Sequence, residues 1–174
     1  MAHQISYQAE GYTTVAPWLV TDDTGALFDF IAVAFDGVEL ARVATEDGTI
    51  GHGEIRIGDT LVLAFDRRAD WPALPALLRV WVPDPDRSVE QAVAAGAVVV
   101  TPLSNNAFGQ RGARIRDPFG NIWWVETQIE LVEEDEMWTR LQLPRYAEDM
   151  RIAQETLDAA LSGRDKGRSS APVR

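Results

Sequence analysis

The strongest constraint on this chain is that it reads in nearly the same way twice. Residues 57–65, IGDTLVLAF, match residues 119–127, FGNIWWVET, in setting a glycine turn ahead of an apolar run, at an offset of 62. The same offset lays LVTDD at 19–23 on WVPDP at 81–85, each a strand end followed by acidic residues suited to cap a helix. Two coincidences at one spacing predict a structural unit present twice in tandem. Each copy would hold a strand, a helix and three further strands.

Periodicity fills in the copies. Residues 13–20 read as a strand, and Leu27, Phe28, Ile31 and Ala34 recur at helical spacing between Thr24 and Ala34. Strands are expected at 38–44, 51–57 and 60–65, divided by the turn signals EDG at 46–48 and GD at 58–59. Residues 66–76 contain two prolines and read as a linking loop. The second copy is expected to have strands at 77–82, 98–101, 113–116 and 121–127, a short helix at 88–95 and a loop over 102–111. Beyond it, 131–144 is acidic and ends at Pro144, and Met150, Ala153, Leu157 and Leu161 mark an amphipathic helix that must pack on the core or on a partner subunit. The Gly, Ser, Arg and Lys composition from Gly163 onward suits a disordered tail.

The expected fold is therefore α+β. Two βαβββ modules, about 12–66 and 77–128, form a cupped mixed sheet around a cavity in a domain spanning 1–130. A helical extension covers 131–162, and the tail covers 163–174.

Charge and composition narrow the partners. With 27 acidic and 16 basic residues the formal charge is −11, which opposes binding to nucleic acid and to anionic membranes. No apolar run approaches the roughly 20 residues of a membrane-spanning helix, and Met1–Glu10 lack the basic-then-apolar pattern of a secretory signal. The absence of cysteine removes disulfides, thiolate metal sites and cysteine nucleophiles. A cytoplasmic location is expected. His3 and His52 are the two histidines, so a general base built on imidazole within the modules must use His52.

The order of motifs resembles the vicinal oxygen chelate superfamily, which contains glyoxalase I, bleomycin-resistance proteins, fosfomycin-resistance enzymes and extradiol dioxygenases. The residues that carry the resemblance are Pro17-Trp18-Leu19 with Asp22-Asp23, Phe30 to Phe35, His52 to Asp59 (HGEIRIGD), and Asp117-Pro118-Phe119-Gly120 with Trp123. Its PhnB-like members look most similar. The resemblance covers roughly 12–130 and implies a cavity between βαβββ modules, a homodimer, and in the enzymes a divalent metal held from the first and last strands of each module. Placed by the offset of 62, those metal positions fall on Ala16, Val62, Leu78 and Trp124, none of which is a ligand. No metal and no cofactor are therefore expected, although His52, Glu54 and Glu126 offer donors for a displaced site.

Several residues remain as candidates for function. Glu126 stands between large apolar groups in WWVET, where it either pairs with Arg56 or Arg79 or meets a ligand with a raised pKa. His52 and Glu54 share one strand face, either as a satisfied polar pair or as cavity residues. Trp18 and Trp124 are either core residues or an aromatic wall for a flat or cationic ligand. Phe108 and Gln110, in the loop with Asn105 and Asn106, either border the cavity or belong to a surface connection. The reading that follows is a protein lacking the usual metal ligands that binds a small, aromatic or cationic molecule through Trp18, Arg56, Trp124, Glu126, Phe108 and Gln110. The alternatives are a lyase or dioxygenase type of enzyme using His52, Glu54 and Glu126, with a displaced metal or none, and a non-catalytic interaction module.

Overall fold

The computed structural model describes residues 7–164, which form two compact units meeting in the chain at Ala76 and Leu77. Most of the tail expected from Gly163 lies outside the described residues. The first unit runs β1 (Trp18–Thr21), α1 (Thr24–Phe35), β2 (Val38–Ala44), β3 (Ile50–Ile57) and β4 (Thr60–Asp66). Its four strands lie in the order β1-β4-β3-β2, with β1 parallel to β4 and the other pairs antiparallel. α1 starts where Asp23, in extended conformation, accepts a hydrogen bond from the Ala26 N–H. It stops at Asp36, which takes a left-handed φ of 52° that aspartate tolerates better than most residues. Leu27, Phe28, Ile31 and Ala34 are fully buried, as are Leu19, Ile55 and Ala64 on the sheet beneath. Each of the Leu, Ile and Phe side chains among them contributes about 1.5–3 kcal/mol on burial. The helix comes this close because β3 carries Gly53, where a Cβ would lie 2.9 Å from the Phe28 ring.

The second unit repeats the plan with β5 (Leu77–Trp81), α2 (Pro85–Ala94), β6 (Val98–Asn105), β7 (Gln110–Arg116) and β8 (Ile122–Gln128), in the order β5-β8-β7-β6. α2 begins at Pro85, earlier than its apolar residues suggest, because Asp84 caps it by accepting from the Arg87 N–H and proline suits the first helical turn. Ile115, Trp123 and Val125 are buried on the α2 side of this sheet. The loop expected over 102–111 contracts to four residues, since β6 runs on to Asn105 and β7 starts at Gln110.

Two helices follow. α3 (Glu134–Leu141) lies within the acidic stretch, where Glu134, Asp135 and Glu136 stand at the favourable N-terminal end of its dipole. α4 (Pro144–Leu161) packs on β6, on the face of the sheet opposite α2. It is tied there by Thr101 and Thr156, whose hydroxyls are 2.7 Å apart, by Arg114 Nη1 donating to the Ala153 carbonyl at 2.8 Å, and by Arg116 Nη2 donating to that of Ala160 at 3.0 Å. The amphipathic helix expected after Tyr146 therefore packs on its own chain.

The tandem repeat is real, but its register differs from the sequence match by one residue. The helix-capping aspartates, Asp23 and Asp84, are 61 positions apart. Trp18 faces Leu63 across β1 and β4, and the residues 61 positions on, Arg79 and Trp124, face each other across β5 and β8. A one-residue shift moves a strand side chain to the opposite face of the sheet. Val62 pairs with Ile55 and Leu78 with Trp123, so both belong to the helix-covered face rather than to the metal positions assigned by an offset of 62. On the open faces, Trp18 corresponds to Arg79, Leu63 to Trp124 and Phe65 to Glu126.

Candidate functional site

Strand register in the second unit lays the open face out in rows. Arg79, Trp124 and Arg114 stand side by side on β5, β8 and β7, and the next row holds Trp81, Glu126 and Gly112. Alternation in WWVET puts Trp124 and Glu126 on this face, as their spacing predicts, and sends Trp123 to the other. Gly112 makes room for the carboxylate: a Cβ there would lie 2.5 Å from Glu126 Cγ and 2.4 Å from the Val125 carbonyl oxygen.

Between this face and α4 lies a cavity of about 380 Å³. Arg79, Arg114, Trp124 and Glu126 form its floor, Asn106, Phe108 and Gln110 one side, and Tyr146, Asp149 and Met150 of α4 part of its cover. Asn106 organises the β6–β7 turn by accepting from the backbone N–H groups of Phe108 and Gln110. Its Nδ2 reaches Gln110 Oε1 at 3.1 Å and lies 3.5 Å from Glu126 Oε1.

Charge is concentrated on the floor. The guanidinium carbons of Arg79 and Arg114 are 3.9 Å and 4.0 Å from the centroid of the Trp124 ring. Because β5 and β7 flank β8 on opposite sides, the two cations cover opposite faces of that ring. Trp124 therefore borders the cavity with its edge and spaces the two arginines. Glu126 is only 1% exposed. Arg79 Nε lies 3.1 Å from its Oε2, but Oε2 receives no well-directed hydrogen bond. Burial raises the Glu126 pKa, against the opposing pull of Arg79 and then Arg114. Arg114 is 6% exposed. Its Nη1 also donates to Thr101 Oγ1 at 3.2 Å, while its buried Nε–H has no partner. Burial lowers the Arg114 pKa against the opposing pull of Glu126, and the neighbouring Arg79 adds a smaller push downward.

The first-unit candidates are arranged differently. His52 Nε2 lies 2.9 Å from Glu54 Oε1, and the Tyr12 hydroxyl donates to the same oxygen at 2.8 Å. The His52 contact, then the Tyr12 bond, holds the Glu54 carboxyl below its ordinary range. His52 and Glu54 are thus bonded to each other, with Tyr12 as a third partner, while both side chains stay partly exposed. Trp18 packs edge-on to His52, with ring centroids 5.6 Å apart, and against Phe65 at 5.5 Å. It lines a broader trough of about 870 Å³ with Phe65 and Trp71. Arg56 is exposed on the same face of β3.

Of the six ligand-binding candidates, then, Trp124, Glu126, Phe108 and Gln110 share the second-unit cavity, whereas Trp18 and Arg56 belong to the first unit. Of the two arginines considered for Glu126, Arg79 is its neighbour. Sequence reading missed Arg114 and the α4 residues. The alternation of Gln110, Gly112 and Arg114 along β7 was the available signal for the first. Nothing local in the sequence signals the second.

The divalent metal of the superfamily's enzymes can be tested against these residues. In the corrected register the open-face positions hold Trp18, Leu63, Arg79 and Trp124. Glu126, the nearby carboxylate, sits against one guanidinium and within the field of another. A dication would meet two like charges there, so the residues do not fit the metal.

The sequence profile of the Glyoxalase/Bleomycin resistance protein/Dioxygenase superfamily matches residues 11–125. An uncharacterized protein of Mycobacterium bovis is 34% identical over 137 residues, covering 71% of this chain and 88% of its own. A Mycobacterium tuberculosis protein, also uncharacterized, has the same identity over the same length, with 79% of its own chain covered. Among solved structures, TioX from Micromonospora sp. ML1 is similar with a TM-score of 0.55 and 24% identity, over 70% of this chain and 100% of its own. The fosfomycin resistance protein FosX from Mesorhizobium loti is similar with a TM-score of 0.52 and 14% identity, over 80% of this chain and 100% of its own. The tandem βαβββ units and the profile match together place this chain in the glyoxalase/bleomycin resistance/dioxygenase superfamily.

Proposed function

We propose that this chain is a small-molecule-binding protein and that its ligand occupies the cavity between the second sheet and α4. The observation that carries the reading is the pairing of a cavity of about 380 Å³ with two deeply buried ionic side chains whose hydrogen-bonding capacity is unfilled, Glu126 Oε2 and Arg114 Nε. Buried polar groups are ordinarily satisfied, and both residues line the cavity, so a ligand toward which either side chain turns would supply the missing partner. Phe108, Tyr146 and Met150 supply apolar surface for the rest of it. The motif order from Pro17 to Trp123 supports a PhnB-like relationship, the superfamily's habit supports a homodimer, and the cysteine-free composition agrees with a cytoplasmic setting.

A thermal-shift screen of chemically diverse small molecules, followed by calorimetry, tests the reading. Ala153 borders the cavity from α4, and Ala153→Leu would fill part of it without harming helix propensity. The expected result is a ligand that raises Tm of the natural protein and binds Ala153→Leu at least tenfold more weakly. A ligand whose affinity is the same in both proteins would refute the location, and an unresponsive screen would refute the reading.

A further inference from the structure

Resting on that reading, we infer that the cavity selects a ligand carrying a carboxylate, or an anionic group of the same planar form, and that Arg114 is the residue that receives it. Three observations converge on this chemistry. The first is the state of Arg114. It lines the cavity beneath α4 and donates through Nη1 to two neutral oxygens, Thr101 Oγ1 and the Ala153 carbonyl. Its solvent-inaccessible Nε–H finds no acceptor among the described residues, so a turn of the guanidinium toward a bound anion would satisfy it. A guanidinium is a planar fork of donors matched to a carboxylate, and it stays charged even when burial is unfavourable.

The second is the distribution of countercharge. Glu126 is the carboxylate whose field reaches Arg114, but it lies against Arg79, with Nε to Oε2 at 3.1 Å. Asp149 on α4 borders the same cavity, yet it forms no ion pair with Arg114. Among the described residues, Arg114 is thus a buried cation that makes no ion pair of its own, with Glu126 reaching it only through its field. Burying such a charge is costly unless something complements it.

The third is Trp124. Its two faces are taken by Arg79 and Arg114, so it cannot stack on a flat cation as an open aromatic wall would. The ring instead holds the Arg114 guanidinium at the cavity floor by a cation–π contact. The cationic ligand suggested by overall acidity would therefore approach a floor of two guanidiniums and one carboxylate. Local charge outweighs the net charge of the chain within so short a range.

The test uses three probes that share a phenyl ring and differ in the charge of a planar head: benzoate, benzamide and benzamidine. Each is titrated into the full-length protein in a carboxylate-free buffer and followed through the backbone amide NMR signals of Gly112 and Ala153. The expected result is that benzoate shifts both signals and binds at least tenfold more tightly than benzamidine. Arg114→Met should abolish the benzoate response, and Arg114→Lys, which keeps the charge without the fork, should weaken it by threefold or more. The lysine variant serves if the methionine variant does not fold. Benzamidine or benzamide binding as tightly as benzoate at those amides would overturn the anionic inference while leaving the small-molecule reading intact. Benzoate binding unchanged in Arg114→Lys, or a cavity that none of the three enters, would overturn it too. The fate of the broader reading is then decided by the screen and Ala153→Leu.

Discussion

Replacing Asp117 by alanine should cost the second unit about 3–5 kcal/mol, more than most single changes cost any protein. Asp117 opens the turn DPFG between β7 and β8 and is buried. Its Oδ1 accepts from the backbone N–H groups of Phe119 and Asn121, each at 2.9 Å. Its Oδ2 accepts from Asn121 Nδ2 at 2.8 Å and from the Trp123 indole Nε1–H at 2.9 Å. A hydrogen bond to a charged acceptor contributes about 1.5–3 kcal/mol, but four that share one carboxylate do not add, which sets the estimate. Burial raises the Asp117 pKa while the indole and amide bonds hold it down, so the group is one whose solvation has been replaced by the turn itself. The assay is urea unfolding followed by tryptophan fluorescence and far-UV circular dichroism, on Asp117→Ala, Trp123→Phe and the double variant. Trp123→Phe removes one donor and keeps most of the ring, at a cost of about 1–2 kcal/mol. The double variant should then be more stable than the sum of the single losses implies, by about 1 kcal/mol. An Asp117→Ala loss below about 1 kcal/mol, or strict additivity with Trp123→Phe, would refute the view that this carboxylate organises the turn.

Two further outcomes follow from the geometry of the cavity floor. Gly112→Ala places a methyl group 2.4 Å from the Val125 carbonyl and 2.5 Å from Glu126 Cγ. Because the first of these is backbone, the β7–β8 pair must move, and a loss of about 2–3 kcal/mol in urea unfolding is expected, with a neutral result contradicting the close approach. Glu126 holds its proton more tightly in the folded chain than in the unfolded one, because burial raises its pKa from the ordinary 4.5. Its contribution to stability is therefore complete below that ordinary value and is lost as pH rises through the raised one. Measured from about pH 4 to about pH 8, the stability of the natural protein relative to Glu126→Gln should fall and then level off. A relative stability that climbs over that range would show the opposite shift.

Much of the fold was legible because its signals are local. The aspartates that cap α1 and α2, the glycine turns and the alternation along β3 and β8 each act over a few residues and agree with one another. What failed was the step from local signals to faces. The sequence match at 62 aligned the glycine turns, but the turn before β8 has more residues than the one before β4: Asp117 bonds back to the Asn121 carbonyl, whereas Ile57 pairs directly with Thr60. An aligned turn thus does not imply an aligned strand. Val62 and Leu78 were assigned to the wrong side by that one residue, and Leu78 was given the open-face position on β5 that Arg79 holds.

The same limit explains why the chemistry of the site differs from its residue list. Glu126, Trp124, Phe108 and Gln110 were each identified, and each borders the cavity. Read singly, a buried carboxylate beside tryptophan suggests an aromatic and cationic ligand. Read across the strands, Arg79, Trp124 and Arg114 form one row, and the ring that was to stack on a ligand is enclosed by two cations. No pattern within β8 encodes this, because the neighbours come from β5 and β7, at distances along the chain that depend on strand pairing. α4 adds the second nonlocal element. Its tie to the Arg114 guanidinium through the Ala153 carbonyl buries that charge and covers the cavity. What this face can recognise is therefore set by which side chains the register brings together and which of them the helix shuts away from water, and both act on the charge of the floor more than on its aromatic content.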